Sequence, residues 1–293
     1  MRCFLAVILM TSSLFAQADV PRPHILGLAH VAIRVSDIVK TSTFYENLLG
    51  YAPPFSLTDK NGRVTMATVK INDQQYVELL QGAAHDRGRL DHFALYTDDL
   101  APMREYLLAQ QVPILADVHK GRMGNPFLVV RDPSGYQIEI VQYLPNSLTY
   151  QSHGKFMPPN RISSHIDHVG IQVTSMERAV RFYEEVLGFR ETSHGSNASG
   201  ETDRVELRTP DGSDSIELLS PVGEPLPSIV KAQNHFCLTT SDVRQTVAIL
   251  QTRAVSSLTM SPITVQSGDN LPIRANLSDP DGARIEIMEL ARD

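Results

Sequence analysis

Asp167-His168-Val169-Gly170-Ile171-Gln172-Val173, followed by Phe182-Tyr183-Glu184 and then Leu187-Gly188-Phe189, decides the fold, because the chain contains this text twice. The earlier copy reads Ala29-His30-Val31-Ala32-Ile33-Arg34-Val35, then Phe44-Tyr45-Glu46 and Leu49-Gly50-Tyr51. Further along, Asp132-Pro133-Ser134-Gly135-Tyr136-Gln137-Ile138-Glu139 recurs as Asp279-Pro280-Asp281-Gly282-Ala283-Arg284-Ile285-Glu286. Self-similarity at long period outranks every local signal. The chain is therefore a tandem duplication, with halves at about 25–144 and 164–290. The joint, 145–163, is polar, contains Pro158-Pro159 and reads as a linker.

Each half is itself double. Asp91-His92-Phe93-Ala94-Leu95 and Asn234-His235-Phe236-Cys237-Leu238 are two further copies of the His-led strand. The quarters run His30 to Glu78, His92 to Glu139, His168 to Glu217 and His235 to Glu286. One His-to-Glu separation of roughly fifty residues means nothing, but four in register form a pattern.

The His-led segments alternate with period two, the signature of strands. Val31, Ile33 and Val35 form an apolar face, and His30, Ala32 and Arg34 point the other way. Val169, Ile171 and Val173 oppose His168, Gly170 and Gln172 in the same manner. Helices follow: Asp37 is an N-cap candidate and Gly50 stands where a C-terminal glycine belongs. Closing strands place Ile138 and Ile140 opposite Gln137, Glu139 and Val141. Every unit thus reads β-α-β-β-β, with apolar faces against helices and the His and Glu side chains lining the opposite, concave face. Two joined units set two His and two Glu around one cavity. That donor set suits Zn, Ni, Co, Mn or Fe.

The 293 residues carry 26 Lys+Arg against 33 Asp+Glu, with 42% hydrophobic residues. This excludes disordered, collagen-like and coiled-coil classes, and the length suits two domains. No Lys/Arg cluster points to a nucleic-acid partner. Two cysteines exclude a disulfide scaffold and a Cys-based zinc site. Residues 1–18 read as a signal peptide: Arg2, an apolar run through Phe15, then Ala16-Gln17-Ala18. That run is too short for a permanent membrane span. The expectation is a secreted or periplasmic protein, with no membrane contact after removal of the segment. His24, His85, His119, His153 and His165 fall in predicted loops. His194 opens a Gly/Ser/Asn-rich loop, and Cys237 reads as a small buried residue.

This pattern resembles the vicinal oxygen chelate superfamily, which includes glyoxalase I, methylmalonyl-CoA epimerase, fosfomycin and bleomycin resistance proteins and extradiol ring-cleaving dioxygenases. The strand at His168, with Ala179, Phe182-Tyr183 and Leu187-Gly188-Phe189, is similar to the first glyoxalase I signature; the first half departs from it only at Tyr51. The resemblance implies an α+β fold in which four βαβββ units pair into two tandem glyoxalase-like domains, each with a curved mixed sheet cupping a cavity. It implies one divalent metal per active domain, held by His30, Glu78, His92 and Glu139 in the first half and by His168, Glu217, His235 and Glu286 in the second. It further implies a lyase or isomerase of the glyoxalase I kind, acting on a small oxygenated molecule through a metal-bound enediolate. Glu78 or Glu139, and Glu217 or Glu286, would move the proton. Arg34 and Lys120 or Arg122 match places near basic substrate contacts. The family's Asn four residues after the strand Glu is replaced by Gly82 and Pro221, which sets this chain apart from glutathione users.

Two other readings compete. An extradiol dioxygenase acting on a catechol uses two His and one carboxylate, but Glu78 and Glu217 occupy the place such enzymes leave free. Val129 and Asn276 also stand where those enzymes carry Tyr. The other reading is a secreted small-molecule binding protein of the resistance type. The halves can close within one chain or exchange between the chains of a homodimer.

Overall fold

The computed structural model describes residues 20–84, 88–220, 233–253, 262–268 and 271–289. The signal segment 1–18 and His85 lie outside the described residues. The first half begins with β1 (Gly27–Val35), α1 (Ile38–Thr43), β2 (Ser56–Thr58), β3 (Val64–Lys70) and β4 (Tyr76–Gln81). A second unit repeats this plan as β5 (Leu90–Tyr96), α2 (Leu100–Ala109), β6 (Ile114–Lys120), β7 (Pro126–Arg131) and β8 (Gln137–Val141). A short helix, α3 (Leu148–Gln151), lies in the connection.

The second half gives β9 (Ile166–Gln172), α4 (Met176–Arg181), β10 (Arg190–Ser196), β11 (Thr202–Arg208) and β12 (Ser215–Leu219). It closes with β13 (His235–Thr240), α5 (Val243–Arg253), β14 (Thr264–Gly268), β15 (Leu271–Ser278) and β16 (Arg284–Glu289). These are the four βαβββ units expected, paired into two tandem domains.

Each domain is one eight-stranded mixed sheet. The first runs β2-β3-β4-β1-β5-β8-β7-β6 and the second β10-β11-β12-β9-β13-β16-β15-β14. The His-led strands β1 and β5 meet antiparallel at the centre, and each lies parallel to the last strand of its own unit. The topology thus gathers the first and last strands of both units, where the His and Glu residues lie. Val31, Val35, Val169 and Ile171 face a core that is continuous between the two sheets.

Local signals work as read. The Asp37 carboxylate accepts a bond from Lys40 N at 3.1 Å, capping α1. Gly50 and Gly188 take φ of 80° and 76° after the helices, a left-handed conformation that glycine adopts freely. One detail departs from the expected helix. Phe44–Leu48 and Phe182–Val186 are π-helical turns, whose wider register lets the neighbouring rings Phe44 and Tyr45 both bury completely.

The Asp-Pro turns hold the domains together reciprocally. In the first domain, Tyr136 Oη donates to Gln172 O and Ser134 Oγ accepts from Thr174 N, both in the second domain. In the second, Asp281 accepts from Ser36 N and from Thr41 Oγ1, both in the first. The connecting stretch is packed rather than free. Ser147, Thr149 and Ser152 are buried, and Asn125 donates to Thr149 Oγ1 at 2.8 Å. Its polar composition reflects hydrogen bonds to the first domain. No helix among the described residues is long and apolar enough to cross a membrane.

Candidate metal centres

Strand register explains why four His and four Glu converge. His30 pairs with Tyr76 and Ala32 with Glu78, so His30 and Glu78 project from the same face two residues apart. The same offset recurs in the other three units, through Ala94 with Glu139, Gly170 with Glu217 and Cys237 with Glu286. Across the central pair, His30 faces Ala94 and His92 faces Ala32. Small residues opposite the imidazoles let the two rings meet over the sheet. At Gly170 the approach is tighter still, because any Cβ there would collide with the His235 ring.

In the first domain the His30 and His92 Nε2 atoms stand 3.1 Å apart. Glu78 lies 3.7 Å from His30, and Glu139 lies 3.9 Å from His30 and 3.7 Å from His92. Two nitrogens each about 2.1 Å from one ion, at right angles, would be about 3.0 Å apart. Ligand atoms of His30, Glu78 and His92 fall within 4.8 Å of one another. Among the described residues, no Lys or Arg lies within ion-pair distance of Glu78 or Glu139. Burial pushes their carboxyls up to about 7 and about 8. Glu78 Oε1 is buried with no hydrogen-bond partner. Two imidazoles and two carboxyls without an ion-paired Lys or Arg are a donor set that fits a divalent cation.

The electrostatics of the two imidazoles differ. Burial holds His30 well below its usual range, with His92 adding to the effect, which favours the neutral ring. Burial also pulls His92 down, but the Asp91 hydrogen bond and the charges of Glu139 and Glu78 raise it overall. Asp91 Oδ1 pairs with His92 Nδ1 at 2.8 Å and Asp91 Oδ2 accepts from Arg34 Nε at 2.6 Å.

Above this cluster opens a cavity of about 290 Å³. Its floor reaches His30, Glu78 and Glu139, and Met66 and Phe127 are among its apolar walls. Lys120 and Arg122 line it. Arg34 does not line it; the side chain is held by Asp91 instead. His119, expected in a loop, is on a strand. It lies on β6, packs against Phe127 with ring centroids 4.0 Å apart and planes inclined by 59°, and lines the cavity. The exposed edge strand that carries it has none of the clean alternation that announces a strand.

The second domain assembles the same four side chains and then departs. The His168 and His235 Nε2 atoms are 3.3 Å apart, and His235 lies 3.4 Å from Glu217. Arg274 Nη1 reaches Glu286 at 2.8 Å and Glu217 at 3.7 Å. Arg204 lies 3.4 Å from Glu217, and Arg284 3.3 Å from Glu286. Burial alone would raise the Glu217 carboxyl, but His235, His168 and Arg274 together drive it well below the usual carboxylate range. Cys237, opposite His168, is fully buried, and burial pushes its thiol up to about 11. His194 sits exposed on β10, paired with Glu191. Ligand atoms of His168, Glu217 and His235, and of His168, Cys237 and Glu286, also fall within 4.8 Å of one another, but here three arginines reach the carboxylates.

The glyoxalase/bleomycin resistance protein/dioxygenase superfamily model matches residues 27–140 and 165–287, one copy per domain. The chain belongs to this superfamily. Relatives match part of the chain. The "Uncharacterized protein YwbC" of Bacillus subtilis is 31% identical over 121 residues, covering 39% of this chain and 94% of that protein. A lactoylglutathione lyase of Pseudomonas putida is 28% identical over 165 residues, covering 44% of this chain and 92% of the lyase. Solved structures share the fold across both domains. The 2,3-dioxygenase LapB from Pseudomonas sp. KL28 superposes with a TM-score of 0.69 at 17% identity, covering 93% of this chain and 94% of LapB. A homoprotocatechuate 2,3-dioxygenase variant from Brevibacterium fuscum gives 0.68 at 19% identity, covering 94% and 74%.

Proposed function

We propose that the first domain is a divalent-metal-dependent lyase or isomerase of the glyoxalase I kind, acting on a small oxygenated molecule. The observation that carries this reading is the buried Glu78 and half-buried Glu139 carboxylates beside two imidazoles under an open cavity, with no Lys or Arg in ion-pair contact with either among the described residues. A cation held by His30, Glu78, His92 and Glu139 supplies positive charge to an oxygen that becomes negative when a neighbouring C–H is deprotonated. Glu139 lines the cavity and is placed to take that proton and return it to the adjacent carbon. Lys120 and Arg122 orient an anionic or strongly polar substrate end, while Met66 and Phe127 exclude water around the reacting carbons. Arg34 acts at one remove, through Asp91 and His92.

The test uses the hemithioacetal of methylglyoxal, formed with glutathione in one arm and with a small uncharged thiol in the other. Isomerisation in D₂O is followed with and without chelator. Glu139→Gln should cost at least about a hundredfold in kcat, the usual share of a general base. An unchanged rate in that variant would discard the proton-transfer role. Oxygen uptake with a catechol, and no isomerisation, would favour the dioxygenase reading, which the trio His30, His92 and Glu139 also permits. The same proposal keeps residues 1–18 as an export signal, and N-terminal sequencing of exported protein checks it.

A further inference from the structure

We infer that the second domain binds no divalent metal: Arg274, flanked by Arg204 and Arg284, is the permanent cation of its His/Glu cluster. The inference deepens the reading of the first domain as the metal centre and rests on it for contrast. The two sheets share one topology, so register assigns each arginine a counterpart. Arg204 stands two pairs from Glu206–Glu217, where the first domain has Met66 two pairs from Thr68–Glu78. Arg274 pairs with Met288, two residues beyond Glu286, where Phe127 pairs with Val141, two beyond Glu139. Arg284 precedes Glu286 by two residues, as Gln137 precedes Glu139.

Three cations have therefore replaced two apolar side chains and an amide around one duplicated cluster. Each reaches a carboxylate, at distances from 2.8 to 3.7 Å. Buried carboxylates need a partner, and a guanidinium held by several oxygens meets that need. A divalent ion entering this cluster would meet the Arg274 charge at hydrogen-bond range from the oxygens it must bind. Access changes in step. The first domain's cavity reaches three of the four cluster residues. The corresponding cleft, about 420 Å³, is lined by Arg204 and Arg274 and by none of His168, Glu217, His235 and Glu286. The arginines thus neutralise the cluster, and two of them line the cleft above it.

Equilibrium dialysis of the chelator-stripped full chain against Zn(II), with metal counted per chain, tests the assignment. One zinc per wild-type chain is expected, none in His30→Ala, and still one in His168→Ala. Two in wild type, or a loss in His168→Ala, would overturn it. No zinc in wild type would sink the first-domain reading alone and leave the second domain metal-free as inferred. A further arm gives the second domain the first domain's residues, as Arg204→Met, Arg274→Phe and Arg284→Gln together, with folding checked by near-UV circular dichroism. Stoichiometry should rise from one to two. If this variant fails to fold, Arg274→Gln alone replaces it, with occupancy expected above one. A folded variant that stays at one would remove the arginines' role.

Discussion

Asp91 shows what a single residue does for the first centre. Its carboxylate accepts from His92 Nδ1–H on one oxygen and from Arg34 on the other. That fixes the His92 tautomer and turns the Nε2 lone pair toward His30 and the cluster. Asp167 bonds His168 Nδ1 in the same way at 2.9 Å. Asp91→Asn should weaken Zn(II) binding to the first domain by roughly 10–100-fold while the fold persists. Arg34→Ala should do less, since it acts only by holding Asp91. Calorimetric titration of both variants checks the order, and an unchanged affinity in Asp91→Asn would dismiss the tautomer argument. At this scale the His and Glu ligand candidates were legible, because each is fixed by position within its own strand. Arg34 was legible only as to face. Alternation says that it shares a side with His30, not that Asp91 on the neighbouring strand will capture it. Arg204 and Arg274 were invisible for a related reason. Nothing within β11 or β15 relates them to Glu217 and Glu286 until strand register does.

Among the elements, the closing Asp-Pro turns are informative because their two copies differ. Asp132 Oδ2 accepts from Tyr183 Oη at 3.4 Å, whereas its counterpart Asp279 has Oδ2 buried without a partner, and so is the Tyr45 hydroxyl. Burial pushes the Asp279 carboxyl up to about 6, against the bonds from Ala283 N and Asp281 N that favour its charged form. An unfolded Asp titrates at about 3.9. The folded chain therefore holds the proton more tightly than the unfolded chain between roughly pH 4 and 6. Stability from this residue falls as pH rises through that window and stays low above it. Asp279→Asn removes the penalty and keeps the Oδ1 acceptor. At pH 8 the variant should be more stable than wild type by up to roughly 3 kcal/mol, with the gain vanishing below about pH 4. Urea unfolding of both proteins at pH 4, 6 and 8 measures the difference, and a gain that does not depend on pH would rule out titration as the cause. Sequence announced these turns and the helix caps plainly. The π-helical turns were not announced, since Phe44-Tyr45 and Phe182-Tyr183 satisfy a 3.6-residue pattern as well as a wider one.

For the whole molecule, duplication was legible but the join was not, because loop contacts carry no period. The halves interlock at several separate places. Arg22 pairs with Asp211 at 2.8 Å, Leu28 N donates to Asp214, and Gln75 bridges Ile166 O and Asp214. The apolar core runs without interruption from Val31 and Phe44 to Val169 and Tyr183. Such contacts make the two domains one cooperative unit, since opening either exposes the buried face of the other. A metal held only by the first domain should then stabilise the entire chain. At a free concentration one hundred times its Kd it contributes about 2.7 kcal/mol. Spread over the unfolding entropy of a chain this long, that corresponds to a Tm increase of roughly 5 °C. Scanning calorimetry should show a single transition that moves down by this amount on chelation. His168→Ala should retain the same metal-dependent shift and His30→Ala should lose it. Two resolved transitions, only one of them sensitive to chelator, would show instead that the domains unfold independently and that the shared core couples them too weakly to transmit the metal's stabilisation.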